Sequence, residues 1–398
     1  MRILFLAPQP FFQQRGTPIA AKLLLQVLSR AGHEIDVVTY HEGADVALPG
    51  VRIKRIPALP FVRNIRPGFS WKKIVCDAVM LGVVLREAAH RRYDLVHAIE
   101  ESVFMAAIVK ALFGFPFVYD MDSSLTEQLL ERARRLRPLR PLLARCERLA
   151  VRHSTGVLAV CRALVDTARA YDPTKLIACV EDPSFLESDA PAVERLRART
   201  GGTAELTGPL VLYVGNLASY QGIDLLLEAF ALVVEQAPTA TLVLIGGPGE
   251  RIRHYRALAA TRGLGRRVRF LGPRPLEQLG GYLRQADVLV SPRITGVNTP
   301  MKIYSYLDSG VPVVATRLPT HTQVLDDDTA LLVEPTAEAL AGGLVRLLED
   351  PELRAALAAR AKERAAREFT RAATIGKLRR FYRRLEGELE RPPVLQLS

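Results

Sequence analysis

One pattern limits this chain more than any other: short apolar runs rich in β-forming residues alternate with longer stretches of helical periodicity, and the alternation starts twice. In the first half the predicted strands are Ile3–Ala7, Ile35–Tyr40, Val51–Ile56, Leu95–Ile99, Phe115–Asp120, Gly156–Val160 and Leu176–Val180. Helices are predicted between them at Pro18–Arg30, Trp71–Arg91, Ser102–Leu112, Leu125–Leu136, Pro141–His153 and Arg162–Tyr171. A polar stretch containing Gly201 and Gly202 intervenes, and the rhythm resumes with strands at Leu210–Val214, Thr241–Ile245, Val268–Leu271, Val288–Ser291, Val311–Ala315 and Ala330–Val333. The helices of this half fit Ile223–Glu235, Arg251–Arg262, Leu276–Gln285, Met301–Ser309 and Ala337–Leu348, and Pro351–Glu390 reads as near-continuous helix with a break at Phe369–Thr370. Parallel strands need crossovers, so strict alternation predicts two α/β domains of doubly wound parallel sheet. Ligands of such sheets bind beyond the carboxyl ends of the strands.

The 398 residues suffice for two cores, and 49% hydrophobic with 24% charged residues excludes extended disorder. Cys76, Cys146, Cys161 and Cys179 have no metal-ligand or framework spacing, and the seven histidines are scattered. We therefore expect no metal and no cofactor, and a reducing cytoplasmic setting. No run of about 18 apolar residues is present to span a bilayer. The apolar start MRILFLAPQP is followed by Gln13, Gln14 and Arg15, which suits a buried strand better than a cleaved leader. No GxGxxG follows the first strand and no GxxxxGK[ST] occurs, which argues against a nicotinamide dehydrogenase or a P-loop enzyme.

The net charge of +12 is uneven: residues 1–200 hold 29 basic and 21 acidic side chains, and residues 131–153 hold eight arginines against Glu131 and Glu147. Pro138 and Pro141 prevent one unbroken helix there. From Pro141 a helix can bury Leu142, Leu143, Cys146, Leu149 and Ala150 and turn Arg145, Arg148 and Arg152 outward. Two readings stand: a solvated arginine face, or docking on an anionic membrane to reach a lipid-linked acceptor, with Arg63, Arg66, Trp71, Lys72 and Lys73 extending the surface. Nucleic acid is not expected as a partner, since no interleaved aromatic platform is present.

The most informative segment is Ser291–Thr316, SPRITGVNTPMKIYSYLDSGVPVVAT. Thr299 is predicted to cap a helix with Pro300 at its first position, which puts Lys302 in the first turn. A cation at the positive end of a helix dipole makes sense when an anion sits there; the plain alternative is a capped helix with a solvated lysine. Gly246, Gly247 and Gly249 form a strand-to-helix turn that either admits a close ligand or only turns the chain. Glu100 and Glu101 follow one strand, with His97 packed inside it, and Asp120 and Asp122 follow the next. These acids either orient a hydroxyl or serve as caps and first-turn charges, with Asp122, Ser123, Ser124 and Glu127 as the cap region.

Taken together, K-I-Y-S-Y-L-D-S-G-V-P-V-V-A after Met301, Gly16-Thr17-Pro18 after the first strand, and LYVGNLASYQGIDLLLEAF at Leu212–Phe230 resemble the GT-B glycosyltransferases of the family 4 type over nearly the whole chain. The resemblance implies two Rossmann-like domains facing across a cleft: an acceptor-side domain at 1–187, a linker at 188–208, a nucleotide-sugar domain at 209–370, and a final helix, 371–398, crossing back to the first domain. It implies a retaining hexosyltransferase-like enzyme moving a sugar from a nucleotide-sugar to a glycan or lipid-linked acceptor of the cell envelope, at the inner face of the membrane. Departures accompany it: the family's Glu-x7-Glu pair falls on Val297 and Ser305, its Arg and Lys on Asn216 and Gln221, its "NG" on Glu181-Asp182-Pro183, and a histidine on Asp122. The expected roles are therefore Lys302 and Arg293 as the anion clamp with Asp122 as a catalytic group. Gly16, Thr17, Gly215, Asn216, Gln221, Gly247, Asn298, Thr299 and Ser305 (toward ribose) would serve the donor, and Glu100 and Glu101 the acceptor. The alternatives are a nucleotide-sugar epimerase or hydrolase of this fold, and a non-catalytic binding subunit.

Overall fold

The computed structural model describes residues 1–13, 16–65, 70–132, 134–186, 191–197 and 207–390. It divides into two units, Met1–Glu181 with the segment from Thr374 onward, and Asp182–Ala373.

The strands of the first unit are β1 (Arg2–Ala7), β2 (Glu34–Thr39), β3 (Val51–Arg55), β4 (Leu95–Ile99), β5 (Phe117–Met121), β6 (Gly156–Ala159) and β7 (Leu176–Cys179). Among the described residues they make one parallel sheet in the order β3-β2-β1-β4-β5-β6-β7. Both faces are apolar, as a doubly covered sheet requires. On one face Cys76, Met80 and Val84 of the Trp71–His90 helix pack with Val103, Ala106 and Val109 of the Ser102–Phe113 helix and with Ala150 and Val151 of the Arg140–His153 helix. On the other, Leu24, Leu25 and Leu28 of the Gly16–Arg30 helix lie with Leu378, Phe381 and Leu385 of the Arg371–Leu389 helix. That last helix is fastened by Lys377 to Glu181 at 2.6 Å, and a Cβ at Gly156 would stand 2.9 Å from the Phe381 ring.

The second unit has β8 (Leu210–Val214), β9 (Thr241–Ile245), β10 (Val268–Gly272), β11 (Val288–Ser291), β12 (Val313–Thr316) and β13 (Leu331–Val333), parallel in the order β10-β9-β8-β11-β12-β13. Within the stretch 188–208, the described residues 191–197 belong to this unit's body. Leu196 is fully buried in its core, its N–H donates to Gln285, and Arg197 pairs with Asp287 at 2.6 Å. Gly201 and Gly202 lie outside the described residues. The tail helix breaks at Phe369, buried against Tyr304, so that Pro351–Glu368 stays with the second unit and Thr374 onward with the first.

Candidate functional site

In the second sheet the strand order reverses between β8 and β11, and loops leaving neighbouring strands diverge there to leave room for a ligand. The loop after β8 opens with Gly215 at φ +152°, where a Cβ would lie 3.1 Å from the Lys302 ammonium. Gly246, at φ +110° after β9, lies so close that a Cβ would meet the Gly215 carbonyl at 2.2 Å. Lys302 lies over the face of the fully buried Tyr213 ring at 3.9 Å and donates to Gln221 Oε1 at 3.1 Å. Burial, with Arg293 nearby, holds Lys302 well below the usual lysine range. Among the described residues no carboxylate pairs with it.

Arg293 organises the next loop. Its guanidinium donates to the carbonyls of Thr295 at 2.9 Å and Asn298 at 2.7 Å and to Thr320 Oγ1 at 3.0 Å, and stacks 5.1 Å over Tyr220. Thr320 also donates to the Asn298 carbonyl at 2.5 Å. Behind this loop lies His321, which the sequence reading did not select. It is buried, with Nε2 2.9 Å from Ser291 Oγ and Nδ1 2.8 Å from the Thr316 carbonyl. Burial, then Lys302 and Arg293, push it down to about 4, so it is neutral at physiological pH. Nδ1 thus carries the proton toward Thr316, and Nε2 accepts from Ser291. A lone histidine in the four-residue helix Pro319–Thr322 carries no periodic signal; only its three-dimensional neighbours mark it.

Several expected contacts are different in the structure. The helix starts at Lys302, with Met301 at its boundary and the Pro300 carbonyl accepting from Ile303 N–H at 2.9 Å. Thr299 is two residues too early to cap it; its hydroxyl is buried without a hydrogen-bond partner. Ser305 does not face a ribose: it is fully buried and accepts from Phe185 N–H at 3.1 Å. The Asn216 amide is used within its own loop, donating to Tyr220 at 3.2 Å and accepting from Ala218 N–H at 3.2 Å. Gln221 is buried and acts on Lys302. At Gly247, φ +80°, a Cβ would strike Leu217 Cγ at 2.4 Å, so packing against Leu217 accounts for this glycine.

In the first unit the order reverses between β1 and β4. Gly16 and Thr17 begin the Gly16–Arg30 helix after β1, and Glu100 and Glu101 follow β4. Glu100 holds the left-handed φ of +47°, unusual for a residue with a side chain. Its carboxylate accepts from Ser123 at 3.2 Å, and burial with the adjacent Glu101 pushes it up to about 7. Glu101 is ion-paired with Lys73. Asp120 is neither cap nor first-turn charge: it ends a buried relay in which Tyr382 lies 2.7 Å from His97 Nδ1 and His97 Nε2 lies 3.0 Å from Asp120. The cap of the Leu125–Arg132 helix is Ser124, which accepts from Glu127 N–H at 3.4 Å, and Asp122 stands just before it as a partly buried residue.

Lys73, expected on the basic surface, is 8% exposed and committed to Glu101. Leu142 and Leu149, expected inward, are 57% and 46% exposed; Glu147 takes the buried side of that helix with Ala150 and Val151. Its inward seat is satisfied by Leu125 N–H and the hydroxyls of Ser124, Thr126 and Tyr171. Arg66 lies outside the described residues, while Arg140, Arg145, Arg148 and Arg152 are exposed. Among the described residues no group of three or more His, Cys, Asp or Glu could hold a metal ion, and no helix is long and apolar enough to cross a membrane.

Residues 15–177 match the family profile described as glycosyl transferase 4-like domain, and residues 208–350 the one described as glycosyl transferases group 1. The chain is 30% identical over 378 residues to a D-inositol 3-phosphate glycosyltransferase of Corynebacterium efficiens, covering 89% of this chain and 87% of the relative. Among solved structures, sucrose-phosphate synthase from Thermosynechococcus elongatus superposes with a TM-score of 0.77 at 22% identity over 97% of this chain and 99% of the other. Anabaena HepE, solved with UDP-glucose, superposes with a TM-score of 0.70 at 18% identity, covering 97% of this chain and 100% of the other.

Proposed function

For a chain that belongs to the group 1 glycosyl transferases, we propose retaining transfer of a hexose from a nucleotide-sugar, bound by the second unit, to an acceptor hydroxyl presented by the first. One observation carries the donor assignment: the enclosed Lys302 ammonium has Gln221 and the Tyr213 face as partners, Arg293 alongside, and, among the described residues, no carboxylate paired with it. A buried ammonium beside a second cation is a charge arrangement that a diphosphate completes. Gly215 lies against the same ammonium, and the Asn298 loop held by Arg293, with the unpartnered Thr299 hydroxyl, would supply neutral contacts. The UDP-glucose bound by Anabaena HepE supports a nucleoside diphosphate sugar as the donor class.

In the step proposed, the bond between the anomeric carbon and the diphosphate breaks as the acceptor oxygen bonds to that carbon on the same face. The acceptor proton passes to the departing phosphate oxygen. Lys302 and Arg293 then stabilise charge that grows on the leaving group, an electrostatic contribution larger in an enclosed site than in water. On the first unit, Glu100 and Asp122 would orient the acceptor, with Glu101 tied to Lys73 behind them and Gly16-Thr17 offering backbone N–H groups. The exposed arginines and leucines of the Arg140–His153 helix support an acceptor taken from an anionic membrane at its cytoplasmic face.

Calorimetry with UDP, GDP and their sugars, followed by product analysis with and without acceptor, tests the reading. Lys302→Ala should weaken diphosphate binding by roughly 1.5–3 kcal/mol, the range for hydrogen bonds to charged groups, while the protein melts normally. Equal affinity of that variant and the parent refutes the clamp, and release of free sugar with no acceptor product refutes transfer.

A further inference from the structure

The helices Trp71–His90, Ser102–Phe113, Leu125–Arg132 and Arg140–His153 enclose a cavity of about 210 Å³ on one face of the first sheet. Its wall is mainly apolar, with Ile74, Phe104, Leu125, Leu129 and Leu143 beside Cys146. The charged groups that reach it are matched from the protein side. Lys73 and Glu101 neutralise each other. Tyr40 donates to Asp77 at 2.6 Å, and burial with Glu101 pushes that carboxyl up to about 7. Four donors converge on Glu147. A hydrocarbon can therefore lie along this wall without stranding a charge.

The cavity opens into a surface that is apolar and cationic together. Ile74 and Phe104 line the cavity yet are 51% and 40% exposed, and Trp71, on the helix of Ile74, and Leu142, on the helix of Leu143, are 59% and 57% exposed and widen the apolar area. Exposed Arg145 and Arg148 stand on the helix that supplies Leu143 and Cys146. Apolar depth with a positive rim complements an alkyl or isoprenyl chain carrying an anionic head.

We propose that this cavity receives one hydrocarbon chain of an anionic amphiphilic acceptor, so that the first unit selects a lipid-linked substrate by its tail. The inference rests on the glycosyl-transfer reading for its purpose: Glu101 in the wall directly follows Glu100, so the cavity adjoins a residue proposed to orient the acceptor hydroxyl. The cavity's occupancy can be tested without transfer.

Dodecyl phosphate, kept below its micelle concentration, is titrated into the full chain. Emission from Trp71, the sole tryptophan, and alkylation of Cys146 are followed; Cys76 and Cys161 are buried. The expected result is saturable binding that slows Cys146 alkylation about tenfold at ten times the dissociation constant, whereas inorganic phosphate alone does nothing. Cys146→Phe, which fills the cavity from its exposed side, should weaken binding measured by calorimetry at least about tenfold, with unchanged melting. Leu142→Ser, which points outward, should leave monomer binding intact and reduce only adsorption to phosphatidylglycerol vesicles. Protection by inorganic phosphate, or loss of monomer binding in Leu142→Ser but not in Cys146→Phe, overturns the cavity as the site. Sugar transfer to a soluble acceptor with no probe binding overturns this inference alone; saturable probe binding in a chain that transfers no sugar overturns the function and leaves the site standing.

Discussion

The two units use one topology and opposite charges. Each parallel sheet reverses between its first and fourth strands in chain order, β1 beside β4 and β8 beside β11, and each reversal gathers polar side chains. In the first unit these are acids, Glu100, Glu101, Asp120 and Asp122; in the second they are the cations Lys302 and Arg293. Burial pushes both away from the charged state: Glu100 up to about 7, Lys302 well below its ordinary range. The first unit relieves its acids internally, through Lys73 on Glu101 and Ser123 on Glu100. Among the described residues the second gives Lys302 an amide oxygen and an aromatic face and no paired carboxylate. A fold that keeps a buried cation without a counterion carries an unfavourable electrostatic term that an anionic ligand removes, which supports the proposal of the second unit as the donor side.

The contrast makes the two units respond to pH with opposite signs, and the largest effect is at His321. Its native pKa lies near 4 against about 6.5 for an ordinary histidine, so between these values the unfolded chain binds a proton that the native chain refuses. The stability this neutral histidine contributes is present above pH 6.5 and is lost as pH falls toward 4, by roughly 3 kcal/mol. Urea unfolding of His321→Gln and the parent at pH 7 and pH 4.5 should show the penalty of the substitution shrinking by much of that amount. A gap of constant size at both pH values would remove His321 from the contrast.

Glu100 gives the mirror image. Its native pKa near 7 exceeds the usual 4.5, so the native chain holds a proton that the unfolded chain releases, and stability falls as pH rises through that window. Because Glu100 is only partly buried as a residue, we expect about 2 kcal/mol, less than the full shift implies. Glu100→Gln should melt higher than the parent at pH 8 and equal to it at pH 5, while sugar transfer slows. A variant that melts lower at pH 8 would mean that the carboxylate is needed for folding and is not held there against its solvation.

The order of elements was readable because alternation is written locally. The thirteen strand runs and the break at Phe369 follow from apolar periods and one helix-stopping step, and all of them are in the structure. The site was readable where backbone geometry dictates residue type, as at Gly215, whose missing Cβ makes room for the lysine. It was not readable where the partner comes from a distant segment. Ser305 points into the Asp182–Ala373 core and meets Phe185, 120 positions earlier, so its hydroxyl is spent before any ribose could reach it. Lys73 sits in a run of three surface-like residues, Trp71-Lys72-Lys73, and only the packing of two helices shows that it turns inward to Glu101. Likewise Leu142 and Leu149 fit an inward stripe by period alone, whereas four donors drawn from two other segments, residues 124–126 and Tyr171, hold Glu147 on that side.

The smallest expected effect tests the charge contrast most directly. Gln221→Glu keeps the side chain's shape but replaces the oxygen 3.1 Å from Lys302 Nζ with a carboxylate, giving the second unit the arrangement the first already has at Lys73–Glu101. The new acid favours the protonated ammonium and raises the Lys302 pKa toward its ordinary value. It also occupies the electrostatic role that the diphosphate would fill, and adds repulsion between like charges. Affinity for UDP or GDP should therefore drop about tenfold, near 1.4 kcal/mol, even though the lysine is more fully charged than before. Calorimetry across pH 6 to 9 separates the two effects: the parent should take up protons on binding diphosphate, because the ligand restores charge to Lys302, and the variant should take up fewer. If the variant binds diphosphate as well as the parent, with the same proton uptake, the ammonium is not what meets the phosphate, and the difference between the two units concerns folding and not ligand choice.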